Sequence, residues 1–246
     1  MAVLSLIGAT SYVGGYDLTG DTHKVHVAAM AEELDVTTFS TGATTLYRSR
    51  IAGLKDVESA WDGYWQAGSG LVDADLFPNL GTADQAVTVS PTGTETATAY
   101  LTQVGRFNVE LFGQVGDVAP FTVSAKGTNT QGLVRGQLAA AKQSKSSTGV
   151  LGSVCNITAP SSSSQHVYCA VHVFSAGTTV TLQLQSDTAA GFPSATTQAT
   201  IGALTAAGGT WMTRIAGGSL SGEDYWRLNI SAITGTFSLA ATIGVR

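Results

Sequence analysis

Histidine, cysteine and carboxylate are the side chains here that could do chemistry, and one short stretch brings unlike ones together. His166, Cys169 and His172 stand among Val167, Val171 and Val173. That composition reads as a strand, on which successive side chains point to opposite faces. His166 and His172 share one face and Cys169 takes the other, so the three cannot converge on a zinc ion without a bulge. His23 and His26 have opposite parity and do no better. No metal site and no cofactor is expected.

Other catalytic patterns are missing. No Gly-x-Ser-x-Gly elbow occurs, and neither form of glycine-rich phosphate loop is present. Carboxylates come in near pairs, Glu32 with Glu33 and Asp56 with Glu58. A glycosidase, which works with two carboxylates, is therefore the least difficult enzyme to defend. Yet Trp61 and Trp65, beside Tyr64, have the parity of core side chains rather than of a sugar platform. No catalytic residue is assigned, and the chain reads as a non-enzyme. Asn156-Ile157-Thr158 and Asn229-Ile230-Ser231 fit the glycosylation acceptor pattern. Such tripeptides arise by chance in a chain rich in Ser and Thr, and both are set aside.

These residues must be held by strands. The chain has 246 residues, enough for one large domain or two ordinary ones, and 43% of them are hydrophobic. Only 12% are charged, against about 25% in ordinary globular domains. Gly, Ala, Ser and Thr fill the gap, which suits a surface buried against neighbours. Cys155 and Cys169 make no disulfide framework. One bridge across a hairpin is conceivable, and two buried thiols is the preferred reading. No apolar run reaches the roughly 18 residues of a membrane span. The start, Met1-Ala2-Val3-Leu4, lacks the basic region of a signal peptide, so the chain is expected to stay in the cytoplasm that makes it until it assembles. Residues 1–140 hold 14 acids and 7 bases, whereas 141–246 hold 3 acids and 5 bases. Neither half is a basic nucleic-acid grip.

Period-two patterning and turn residues predict a nearly all-β chain. Residues 1–22 read as an N-terminal arm that orders on contact with a partner, 23–140 as a first β domain, 141–149 as a polar linker and 150–246 as a second β-sandwich or jelly roll. Within the first domain, strands are expected at 23–30, 54–65, 85–90, 96–107, 108–115, 120–126 and 131–140. Ser40, Thr41, Gly42, Ala43, Thr44 and Thr45 form a loop or hairpin tip. Helical spacing appears over 71–77 and stops at Pro78. The sharpest amphipathic element is 54–65: Val57, Trp61 and Trp65 fall on one face with Ser59 and Gly63, while Asp56, Glu58 and Asp62 fall on the other. In the second domain seven strands follow, among them 150–158, 166–174, 179–186 and 225–231.

Several stretches carry a resemblance. Leu34-Asp35-Val36-Thr37-Thr38-Phe39, then Arg50-Ile51-Ala52-Gly53-Leu54-Lys55-Asp56-Val57, then Trp61-Asp62-Gly63-Tyr64, resemble the front of the major tail protein of long-tailed bacteriophages. Pro120-Phe121-Thr122-Val123-Ser124-Ala125-Lys126-Gly127 with Gly132-Leu133-Val134-Arg135-Gly136 is similar to the strand pair closing that family's tube domain. The region from His172-Val173-Phe174 to Ser186-Asp187, with Gly191-Phe192 and Tyr225-Trp226-Arg227, resembles a C-terminal domain that some members carry. Together the patches run from about residue 20 to the end.

The resemblance implies a β-sandwich or barrel tube domain with one short helix, followed by a domain decorating the outside. It implies rings, commonly hexameric, stacked into the tail tube of a phage or gene transfer agent. The partners it implies are other copies of the chain, a tape-measure protein, a tail terminator and baseplate or distal tail proteins. DNA would pass through the lumen without specific binding. The implied location is the virion tail, assembled in the host bacterial cytoplasm. Ser40 to Thr45 would lie between subunits. Asp56, Glu58 and Asp62 would face either the lumen, where an acidic wall repels DNA, which carries about one charge per 1.7 Å of duplex axis, or the solvated outer face, since parity does not say which side is inside. A rival reading makes the second domain a carbohydrate- or cell-surface-binding module, with Trp211, Tyr225 and Trp226 as its platform.

Overall fold

The computed structural model describes residues 6–37, 48–68, 71–76, 78–116, 118–160, 162–212, 215–217, 220 and 222–246. Among them, the N-terminal half forms β1 (Thr10–Val13), β2 (Tyr16–Asp17), β3 (Thr22–Asp35), β4 (Arg50–Tyr64), α1 (Val72–Leu76), β5 (Gln85–Ser90), β6 (Thr98–Leu111), β7 (Pro120–Gly127) and β8 (Val134–Lys145). The C-terminal half forms β9 (Gly149–Asn156), β10 (His166–Ser175), β11 (Thr179–Asp187), β12 (Thr196–Leu204), β13 (Gly208–Trp211), β14 (Ile215–Ala216), β15 (Tyr225–Thr234) and β16 (Phe237–Val245). The protein is all-β with one short helix, as its patterning predicts.

The strands build two antiparallel sheets. The smaller runs β12-β11-β15-β9. The larger runs β13-β10-β16-β8-β6-β5-β1-β2, with a branch leaving β6 through β7 and β4 to β3. The branch exists because one edge of β6 serves two partners. Thr98 to Leu101 pair with β8, and Val104 to Leu111 pair with β7. The changeover falls between Leu101 and Val104, and a register shift between Arg106 and Asn108 lies within the pairing with β7. Such bulges bend a strand, which is why 96–107 and 108–115, expected as two strands, are one.

Two large buried clusters lie mostly in one half each, and two smaller ones join Tyr12, Ala86, Ala99 and Leu101 to Tyr168, Ala170 and Ala240. In the C-terminal sandwich, Val180, Leu182 and Leu184 of β11 and Trp226, Leu228 and Ile230 of β15 pack on Cys169, Val171 and Val173 of β10 and on Leu239, Ala241 and Ile243 of β16. In the N-terminal half, the branch folds over β1 and β5. Trp61, Phe121, Val123 and Ala125 meet Val13, Val87 and Val104, and Val72 of α1 joins the same core. Gly63 is required here, because a Cβ at that position would strike the Asp21 carbonyl and the Phe121 ring.

Two expected boundaries are corrected. The supposed arm at 1–22 is built into the body from residue 10 onward: Ser11, Tyr12 and Val13 are buried, and the Trp61 indole N–H donates to Ser11 Oγ at 2.7 Å. The supposed linker at 141–149 is strand as far as Lys145, which pairs with Phe237. Its side chains alternate between half-buried and exposed, so a strand lying on the surface carries a polar sequence. Glu95 clamps this strand by accepting from Ala141 N–H (3.1 Å), Gln143 Nε2 (3.1 Å) and Ser153 Oγ (2.6 Å).

The two halves also share a buried polar chain. His172 is fully buried, with Nδ1 2.8 Å from the Gly14 carbonyl and Nε2 2.9 Å from Thr88 Oγ1. A carbonyl only accepts, so Nδ1 carries the proton and Nε2 accepts from Thr88. Thr88 Oγ1 in turn accepts from Thr242 Oγ1 at 3.1 Å. Burial pushes the imidazole pKa from 6.5 down to about 4. Both cysteines are free and buried. Burial raises the Cys155 thiol to about 12 and raises Cys169 as well, which leaves both inert.

The imidazole gives a signed prediction. The unfolded chain binds a proton at His172 below pH 6.5 and the folded chain does not until about pH 4. Stability is therefore whole above pH 6.5 and falls as pH drops towards 4, by about 3 kcal/mol from this group. Urea titrations at about pH 7 and about pH 4.5 should show a larger loss in the wild type than in His172→Asn, which cannot titrate. Equal losses would remove His172 from the account.

Candidate assembly interface

The longest pairing in the molecule is β3 with β4, and half of it leaves the body. β7 covers the outer edge of β4 only from Glu58 to Tyr64. Beyond Val57, β4 pairs with β3 alone, and β3 pairs with no other strand among the described residues. Residues 30–35 and 50–52 are exposed without exception. The ribbon continues past its last ladder pair: Val36 N–H donates to the Ser49 carbonyl (2.9 Å) and Ser49 N–H to Thr37 Oγ1 (2.9 Å). The expected loop Ser40 to Thr45 lies outside the described residues.

The ribbon is amphipathic. Leu34 and Ile51 are directly opposite each other, and Met30 is on their face by parity. These three are 39%, 53% and 46% exposed, and Asp56, directly opposite Met30, shares their face. The other face is charged and satisfied within itself. Arg50 Nε lies 2.5 Å from Glu33, and an Arg48 guanidinium nitrogen lies 3.7 Å from Asp35. A two-stranded ribbon with an uncovered apolar face is marginal in water by itself. Along the free edge of β3 runs a groove of about 400 Å³, walled by Val25, Val27, Val89 and Tyr100.

The acidic row sits on the same face, nearer the body. Val57, Ser59 and Trp61 are buried, while Asp56 is exposed and Glu58 and Asp62 are half-buried. The alternation read from the sequence is the alternation observed. The flanking strands add what that reading lacked. Lys24 of β3 lies 3.0 Å from Asp62, and Lys126 of β7 lies 3.9 Å from Glu58. Lys24, followed by the Thr122 hydroxyl at 2.9 Å, holds the Asp62 carboxyl below the usual range. The row is thus a mixed-charge surface in which Asp56 makes no ion pair among the described residues.

A second apolar patch lies at the far end of β4. Tyr64, Phe112, Val115 and Val118 are between 49% and 102% exposed. Phe112 packs edge-on against Trp65, with ring centroids 5.3 Å apart. Sequence reasoning missed this patch because its members come from two separate segments, the end of β4 and the connection between β6 and β7.

The remaining candidates disperse. No group of three His, Cys, Asp or Glu able to hold a metal occurs among the described residues. His172 and Cys169 lie on opposite faces of β10, as parity requires. The supposed sugar platform does not form: Trp226 is fully buried and donates its indole N–H to the Glu223 carbonyl at 2.6 Å. Trp211 packs on Tyr168 in the other sheet, and Tyr225 opposes Asn156 and Asp187.

No known family profile and no curated protein matches the chain. Among solved structures, it is similar to a chain in the tail of an empty gene transfer agent particle with C6 symmetry, at 15% identity, 49% of this chain, 91% of that chain and a TM-score of 0.37. A chain of the native gene transfer agent virion gives 13%, 46%, 82% and 0.35. The Dit protein of SPP1, a phage adsorption-apparatus hub, gives 11%, 97%, 99% and 0.35. Likeness at these values assigns no function.

The ribbon geometry predicts an exchange pattern. In the monomer, amides of residues 30–36 and 50–56 exchange rapidly, while those around Trp61 are protected. Hydrogen-exchange mass spectrometry reads this directly. Slow exchange throughout the ribbon of a monomer would mean that another segment already covers it. Leu34→Asp should change monomer stability by less than about 0.5 kcal/mol, since the side chain packs on little.

Proposed function

We propose that this chain is a virion structural subunit that polymerises as stacked rings, hexameric by the family resemblance, into the tail tube through which DNA leaves. One observation carries the reading: the β3–β4 ribbon offers two different free edges and an uncovered apolar face. Pairing β3 of one copy with the outer edge of β4 in the next uses unlike surfaces, so each addition leaves the same two edges open. Such heterologous contacts close into rings when the rotation divides a full turn. Pairing satisfies the backbone groups that an edge leaves exposed.

The resulting sheet would run unbroken from subunit to subunit, with Asp56, Glu58 and Asp62 on one side of it. With that side inward, the lumen carries carboxylates interleaved with Lys24 and Lys126, a surface with little net attraction for a polyanion. The ribbon and the Tyr64–Phe112 patch lie at opposite ends of β4, so ring-to-ring stacking can bury both apolar surfaces. A tape-measure protein inside the tube, a terminator and baseplate proteins at its ends, and a virion location follow from the same resemblance.

Negative-stain microscopy of the purified chain tests the reading. Uniform tubes with a central channel are expected. Leu34→Asp combined with Ile51→Asp should abolish them while circular dichroism and Tm stay at wild-type values. A wild type that stays monomeric at every concentration, or a double variant that assembles normally, would sink the proposal. A reconstruction with the three carboxylates on the outer surface would overturn their lumenal placement.

A further inference from the structure

The two free edges of the ribbon differ in charge. Outward of Ala29, β3 carries Glu32, Glu33 and Asp35 and no cation. Over the stretch that β7 leaves uncovered, β4 carries Arg50 and Lys55, with Asp56 as its acid at the inner end, and Arg48 stands just before the strand. Cross-strand partners share a face, and the register sets Lys55 opposite Ala31 and Arg50 opposite Asp35. Glu33, Asp35, Arg50 and Lys55 therefore point to one side of the ribbon, and all are exposed. Glu33 holds Arg50 within the chain, whereas Lys55 makes no ion pair among the described residues.

We infer that this polarity, an acidic β3 edge and a basic β4 edge, selects the head-to-tail seam between copies of the chain. The inference rests on the ring assembly proposed above and adds the residues that give the seam its direction. Copies in a ring are related by rotation about the ring axis. In a sheet that crosses the seams, the strands run along that axis apart from the tilt that a closed barrel imposes. Rotation keeps their direction and their height, so β4 of the next copy lies antiparallel to β3, tip beside tip. Glu33 and Asp35 of one copy then border Arg50 and Lys55 of the next on a shared face. Lys55 gains a carboxylate, and the Arg50–Glu33 pair joins a network across the seam. The alternatives bring like charges together. Pairing β3 with β3 gathers the carboxylates of two copies, and pairing β4 with β4 gathers their cations. Like charges directly opposite each other destabilise a sheet, and either pairing closes a two-fold dimer instead of a ring. Exposed ion pairs add little affinity. Their effect is to exclude the wrong partner.

Complementary charge reversal tests this, with tubes read by negative-stain microscopy. One full-length variant carries Glu33→Lys and Asp35→Lys. The other carries Arg48→Glu, Arg50→Glu and Lys55→Glu. Alone, each sets like charges across every seam, and its critical concentration for tubes should rise at least roughly tenfold. An equimolar mixture should recover tubes at the wild-type concentration, because an alternating hexamer matches charge at every seam. A chain carrying both sets should assemble alone. Each single-strand variant also breaks the Arg50–Glu33 pair in its own ribbon. Mixing leaves that defect in place, so recovery reports contacts between copies. Normal assembly by either variant alone, no gain on mixing, or failure of the chain with both sets would each overturn the polarity. If the wild type forms tubes and mixing brings no gain, the assembly reading stands and only the polarity falls. If the wild type forms none, the assembly reading falls and this inference with it.

Discussion

A strand edge carries backbone N–H and C=O groups that need partners, and this fold leaves the edge of β3 and the outer half of β4 open among the described residues by anchoring β4 at one end only. The anchor is Trp61. It is fully buried and bonded to Ser11, so the base of β4 is fixed between β1 and β7. Past Val57 the strand has only β3 for company. Fixed at the root, the ribbon is paired along its outer part with no further strand among the described residues.

The acidic row shows how neighbouring strands alter a charge pattern. Three carboxylates along one strand suggest a repulsive wall. Lysines on β3 and β7 reach two of them. These are exposed ion pairs of small energetic weight. Their consequence is electrostatic: the potential over the face is reduced and patterned.

The halves of the molecule are joined as firmly as each is built. β8 runs from one to the other without a break, and β10 and β16 extend the sheet that begins in the N-terminal strands. The His172–Thr88–Thr242 chain and the Glu95 clamp put satisfied polar groups at that junction. Buried polar networks of this kind favour one relative arrangement, because any other leaves donors and acceptors unpaired.

The sequence alone determined the period of each element and hence which side chains share a face. Val57 and Trp61 opposite Asp56, Glu58 and Asp62, the strand at 85–90, a short helix inside the expected 71–77 and the opposed faces of His172 and Cys169 were all legible, because side-chain periodicity is a local property of the backbone. Tertiary structure decided what each face meets. It put Lys24 and Lys126 beside the acids, made 10–13 and 141–145 parts of a sheet, and buried Trp226 while turning Trp211 elsewhere. Those facts depend on pairing between residues far apart in the chain, and a pattern of period two is the same whichever strand lies alongside. The open ribbon with which the assembly proposal began belongs to both. Its alternation is written in the sequence, and that no further described strand pairs with it is visible only once those strands have been placed.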